Sequence, residues 1–182
     1  MSPKWLLFAL LLAGSPAHAT DYALAPGSIL AFAGNYQGEV FTGQFPGFTI
    51  RLSFDPKQLA KARLHVIIPL ATASTSNADY DGELHGLAFL DAATFPQARY
   101  TARIFRALGG NRYAADGTLS LRGVSKPVTL EFIWTQGARP VLAGKATVRR
   151  LAFGVGGGEW ADTTLIPDAI AISAKVILVP AK

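Results

Sequence analysis

Cysteine is absent from the whole 182-residue chain. Its absence excludes disulfides, thiolate metal sites and thiol redox chemistry, and with them a lipid anchor attached through cysteine. Stability must come from packing and backbone hydrogen bonds. Histidine is scarce, with only His18, His65 and His85. A hydrolytic triad needs a nucleophile, a histidine and an acid brought together, and the chain has no nucleophile elbow. His65 alternates with the apolar Leu64 and Val66, which turns it outward on a strand. The sequence therefore nominates no catalytic residue, no cofactor and no enzymatic activity. Charge is sparse, at 16% of residues. The sustained apolar run Trp5–Ala13 is about half of the roughly 20 residues needed to cross a bilayer.

That run belongs to a three-part N-terminus. Lys4 supplies the charged start, Trp5–Ala13 the apolar middle, and Ala17-His18-Ala19 the small-x-small end that a signal peptidase reads. Cleavage is expected after Ala19, leaving Thr20–Lys182 outside the cytoplasm. Those 163 residues suit one domain. Losing Lys4 lowers the net charge from +5 to +4. The cations are spread through the sequence, as Lys57, Lys61 and Arg63, then Arg99, Arg103, Arg106 and Arg112, then Lys145, Arg149 and Arg150. They read first as a solvated surface, and second as an attraction to anionic headgroups or an acidic partner. Nucleic acid is set aside, since no recognition motif is present.

Half of the residues are apolar, and their dominant period is two. Phe48, Ile50, Leu52 and Phe54 alternate with polar neighbours. The period repeats in Leu64, Val66, Ile68 and Leu70, then Val128, Leu130, Phe132 and Trp134, then Ile170, Ile172, Ala174, Val176 and Leu178, each run with one apolar and one mixed face. Turn signals separate the runs at Asp55-Pro56, Gly109-Gly110-Asn111, Asp116-Gly117, Gly137 with Pro140, and Gly156-Gly157-Gly158. The pattern predicts an all-β antiparallel barrel or sandwich. Asn77–Leu90 breaks the rhythm and suits a short helix or ordered loop, and a second helical turn is expected near Ala92-Ala93-Thr94. Asp79, Asp81, Glu83 and His85 alternate within that stretch. They lack the glycine and terminal glutamate of a calcium loop, so no metal site is assigned. Gly154-Val155-Gly156-Gly157-Gly158 lies outside any βαβ unit and is no dinucleotide fingerprint. Gly154 and Gly156 are expected to interrupt a strand at a bulge.

Three segments carry a family signature. Leu84–Asp91 with Phe95–Tyr100 contains a Phe-x-Asp followed by an aromatic-Pro and an outgoing strand. Gly117–Val128 reads G-x-L-x-x-R-G-V-x-K-P-V, with Gly123 placed for a positive φ and Pro127 for the first position of a strand. Arg150–Trp160 reads R-x-x-F-G-V-G. In this order they resemble the YceI-like family of exported lipid-binding proteins. The chain departs from the family in reading Phe89-Leu90-Asp91 and in lacking a His-Ser pair in its opening strand, Ser28–Phe32.

The resemblance implies a lipocalin-like antiparallel barrel with one or two short helices, in the periplasm, holding an isoprenoid or quinone-type lipid. It also raises an alternative, in which a filled barrel docks on a membrane b-type cytochrome; dimerisation stays open. Alternation and resemblance together nominate Phe32, Phe48, Ile50, Leu52, Phe54, Val66, Ile68, Tyr100, Ile104, Phe132, Trp134 and Val148 as inward-facing ligand contacts. Gly144, Ala146, Ala102 and Ala174 share the inward parity and leave room. The export reading is checked by the intact mass of the processed protein, which is expected to begin at Thr20.

Overall fold

A computed structural model describes residues 20–181; the signal-peptide reading of Met1–Ala19 lies outside the described residues. The described residues form ten antiparallel strand segments: β1 (Asp21–Leu24), β2 (Ile29–Tyr36), β3 (Glu39–Gln44), β4 (Thr49–Ser53), β5 (Arg63–Pro69), β6 (Gln97–Gly109), β7 (Arg112–Leu121), β8 (Val124–Thr135), β9 (Val141–Arg149) and β10 (Ala169–Pro180). One α-helix, α1 (Ala78–His85), follows β5. β1 and β2 run end to end along β10, broken at Pro26-Gly27, where Gly27 takes φ +90°. β3 and β4 are likewise one stave broken at Phe45-Pro46-Gly47. Ten segments thus make the eight staves of a closed, lipocalin-like barrel.

The two ends of the barrel differ. At the lower end every neighbour is paired, from Tyr22↔Leu52 through Leu52↔Leu64, Leu64↔Ala102, Phe105↔Ala115, Ala115↔Leu130, Phe132↔Gly144 and Leu142↔Val176 to Tyr22↔Pro180. At the upper end the ring parts twice. β8 pairs with β9 only over Glu131–Thr135, so Val124–Leu130 has left its neighbour. β3 reaches the next segment of chain only through a single bridge, Gln44 with Ser74. The upper half is therefore two sheets, β5–β8 and β9-β10-β2-β3, joined at the closed end.

The turns follow the residues present. Arg122-Gly123 joins β7 to β8 with φ of +50° and +73°, the geometry of a two-residue hairpin that matches strand twist. Gln37-Gly38 does the same between β2 and β3. Asn77 caps α1 by accepting from the amides of Asp79 and Tyr80 at 3.0 and 3.3 Å. Asp91 supports the next turn, its carbonyl accepting from Thr94 and Phe95.

Four expectations are corrected. Asp116-Gly117 makes no turn but lies within β7, paired with Thr129 and Val128 on β8. Ile104 faces solvent, 61% exposed, because a bulge between Ala102 and Ile104 inserts Arg103 and reverses the parity of β6; Phe105 takes the inward place. Gly154 and Gly156 interrupt no strand. They follow a 3-10 turn, Arg150–Phe153, which Gly154 ends with φ +69°. Pro127 is not the first residue of β8 but lies in the stretch that has left β9, where proline costs the sheet least. The reversed parity predicts that Phe105→Ala costs about 3–5 kcal/mol of stability while Ile104→Ser stays within about 0.5, as read by denaturant unfolding.

Candidate functional site

The lower, fully paired half is filled. Phe54 is 1% exposed, and its ring centroid lies 4.8 Å from Trp134, 5.2 Å from Tyr113, 5.5 Å from Phe132 and 5.9 Å from Phe105. Tyr22 meets Trp134 edge-on at 5.6 Å. Such aromatic pairs contribute about 0.5–1.5 kcal/mol each beyond their area, so this cluster is a plug. Leu52, 1% exposed, completes it.

Above the plug, between the two parted sheets, lies an open-ended cavity of about 380 Å³. Its wall is almost wholly apolar. Seven of the twelve nominated contacts are on it: Phe32, Phe48, Ile50, Val66, Ile68, Tyr100 and Val148, together with Ala146 and Ala174. Leu52, Phe54, Phe132 and Trp134 are inward but belong to the plug, and Ile104 is outside; for these five the cavity placement is corrected. Gly144 is inward and adds no space, because Leu130 occupies it: a Cβ on Gly144 would stand 2.9 Å from Leu130 Cδ1.

The wall also holds residues that strand alternation does not single out. Phe41 is one; like the nominated Phe32 it lies over a glycine across the β2–β3 hairpin, in the pairs Gly34↔Phe41 and Phe32↔Gly43. A Cβ on Gly43 would come within 2.1 Å of the Phe32 ring, so each ring needs the glycine opposite it. Leu84, Phe89 and Trp160 come from the segments that cover the mouth. Their signal was present in the family motifs but not in strand periodicity, because none of them lies on a strand.

The polar groups of the wall are largely committed. The Tyr100 hydroxyl is buried 2.8 Å from the Ala115 carbonyl and 3.0 Å from that of Val128, and burial pushes its pKa above the ordinary phenol range. Arg150 is 2% exposed with no carboxylate in ion-pair range among the described residues. Its guanidinium donates to the carbonyls of Val155 (3.1 Å), Gly156 (2.6 Å), Trp160 (2.8 Å), Ile166 (2.6 Å) and Pro167 (3.2 Å). Burial lowers its pKa, partly offset by Asp168. Arg150 thereby ties the 150–168 loop into one piece beside the β8–β9 seam. Glu83, on α1, is the carboxylate of the wall and stands exposed at the mouth.

The three sequence motifs meet over this mouth. Arg122, in the β7–β8 turn, donates to the carbonyls of Leu87 and Phe89. The Gly156 amide donates to the Ala88 carbonyl at 2.7 Å, and the Phe89 ring lies 5.4 Å from Trp160. On the other seam, Asp81 anchors α1 by accepting from Ser74 Oγ (2.8 Å), Thr75 N (2.6 Å) and Thr75 Oγ1 (2.7 Å). His85 Nε2 lies 2.7 Å from the Ala73 carbonyl. The arrangement can enclose an apolar molecule between a plug and a tied cover.

The YceI-like domain model matches residues 24–178. The chain belongs to the YceI-like family. It is similar to a UPF0312 protein of Yersinia pestis (strain Pestoides F), with 33% identity over 129 residues covering 69% of this chain and 67% of that one. Among solved structures, Burkholderia cenocepacia BcnA matches with a TM-score of 0.80 at 28% identity, over 82% of this chain and 95% of BcnA. A polyisoprenoid-binding domain from Saccharophagus degradans matches with a TM-score of 0.68 at 17% identity, over 91% of this chain and all of that one; at that identity the likeness is one of fold. In this YceI-like chain the three motifs form the cover of the cavity, above the apolar wall.

The anchoring of α1 has a pH signature. The Thr75 amide and hydroxyl, then the Ser74 hydroxyl, hold the Asp81 carboxyl below its ordinary pKa. A depressed carboxyl contributes stability above its unfolded pKa and loses it as pH falls through the folded one. The difference in melting temperature between the protein and Asp81→Asn is expected to be largest near neutrality and to shrink below about pH 4.

Proposed function

We propose that this YceI-like protein is a carrier that sequesters one long isoprenoid lipid, a polyprenyl chain or a quinone tail, with its apolar length in the cavity and no bond made or broken. The observation that carries the reading is an apolar cavity that is open at one end and stopped by an aromatic plug at the other. A structural neighbour that binds polyisoprenoid supports the ligand class. Burying one five-carbon unit is worth about 4 kcal/mol gross, at about 0.8 per carbon group. Three buried units would match the roughly 12 kcal/mol of nanomolar binding before ordering costs are subtracted. The plug sets how many units can enter. The site of action is the periplasm, in keeping with the expected cleavage after Ala19.

Mass spectrometry of lipid extracted from gently purified protein is expected to find an isoprenoid. Two substitutions on β9 then test the cavity. Ala146 lines it beside Ile172, its partner on β10, so Ala146→Leu should fill it and remove the co-purified lipid while leaving the protein folded. Gly144 faces Leu130, so Gly144→Leu should overpack and cost about 1–3 kcal/mol. An Ala146→Leu variant that retains its lipid would overturn the reading.

A further inference from the structure

Folding gathers cations that the sequence scatters. On the outer face of β4–β6, Arg51 on β4 pairs in register with His65 on β5, which pairs with Thr101 on β6. One step lower, beyond the Leu64↔Ala102 pair, Arg63 and Arg103 follow on the same outer face. Arg99 lies above, beside Ile67. Lys57 and Lys61 belong to the loop that joins β4 to β5 at the foot of this face. All six are exposed, and none is in an ion pair among the described residues.

The balance of charge is uneven. Residues 20–181 carry 15 Lys and Arg against 12 Asp and Glu, a surplus of three. This face alone sets six cations against two bordering carboxylates, Asp21 and Asp55, a surplus of four. The rest of the surface is close to neutral. Asp55 is further occupied in its own turn, accepting from the Lys57 amide and the Gln58 side chain. Like charges on neighbouring strands are unfavourable when uncompensated; Arg63 has its guanidinium held by the carbonyls of Ala60 and Ala62 at 3.1 and 2.6 Å, and neither Arg63 nor Arg103 meets a carboxylate among the described residues. Beside them the bulge turns Ile104 out to 61% exposure, opposite Asp116, whose charge Arg106 meets at 2.6 Å.

We propose that this face docks on an anionic phospholipid bilayer, with Arg51, Lys57, Lys61, Arg63, Arg99 and Arg103 meeting headgroup phosphates and Ile104 reaching between them. Charge complementarity carries the assignment. The choice of a membrane over another acidic surface rests on the carrier reading, since a lipid in the cavity must be exchanged with a bilayer. The face extends upward along β5, the strand that borders the seam between β3 and β5.

Co-sedimentation of the processed protein with vesicles that contain no isoprenoid tests docking separately from lipid uptake. Vesicles with about 30% anionic phospholipid should bind, vesicles of zwitterionic lipid should not, and binding should weaken steeply as salt shortens the range of the charges. Each cation near such a surface is worth about a fivefold change in affinity, so Arg63→Gln with Arg103→Gln should weaken binding about 30-fold. Lys145→Gln with Lys175→Gln, the same charge change on β9 and β10, should weaken it far less; both pairs are exposed, and unchanged melting confirms that each variant folds. Equal losses from the two pairs, equal binding to zwitterionic vesicles, or no binding to anionic vesicles would each overturn the docking face. An isoprenoid in the purified protein together with any of these would leave the carrier reading standing.

Discussion

The molecule depends on a ring of hydrogen bonds that closes at only one end. Where all eight staves are paired, inward side chains face one another at sheet spacing and fill the lumen, with Phe54 in contact with four aromatic rings. An eight-stranded barrel sits at the boundary between filled and hollow, and this one has a half of each kind. Where β8 leaves β9, and where β3 and β5 fail to meet, the two sheets stand apart and the wall widens around an apolar space. Loss of strand pairing in the upper half is thus what makes room for a ligand.

Parted strands leave backbone groups that need other partners. The β8–β9 seam is covered by the Arg150–Phe153 turn and its following loop, organised around a buried guanidinium. A buried charge is costly unless its hydrogen bonds are met, and Arg150 meets its own with five backbone carbonyls instead of an acid. Those carbonyls, on a loop without strand partners, are satisfied by the same contacts. Lysine, with three donors, could not hold five carbonyls in one plane. The β3–β5 seam is closed by the Gln44–Ser74 bridge and the Asp81 anchor on α1. Each seam therefore rests on a few local hydrogen bonds rather than a ladder, and segments held in this way open at lower free energy than a barrel core.

The barrel was legible in the sequence because period-two alternation survives wherever strands are regular. Val128, Leu130, Phe132 and Trp134 all point inward as their spacing requires. What alternation does not carry is depth along a stave. Phe48 and Ile50 line the cavity while Leu52 and Phe54, on the same parity two steps further, plug it. Parity itself fails at Ile104, since a one-residue bulge has no marker in Ala102-Arg103-Ile104. Leu84 on α1, and Phe89 and Trp160 in the segments beyond the strands, were hidden from strand periodicity, and only the motifs pointed to their neighbourhood. The meeting of those motifs over the mouth is made by hydrogen bonds: Arg122 donates to the carbonyls of Leu87 and Phe89 and the Gly156 amide to that of Ala88, which joins three segments distant in sequence.

The same division places the outer face relative to the cavity. Arg51, Arg63 and Arg103 stand on staves near the continuous ladder, where Leu52↔Leu64 and Leu64↔Ala102 are paired beneath them. This is the stiff half, and like charges can be tolerated there because burial of Leu52, Phe54 and Leu64 on the inner side supplies the stability they subtract. The seams lie in the other half. Opening at a seam then need break only the few bonds that cover it, while the plug and the ladder around it stay intact.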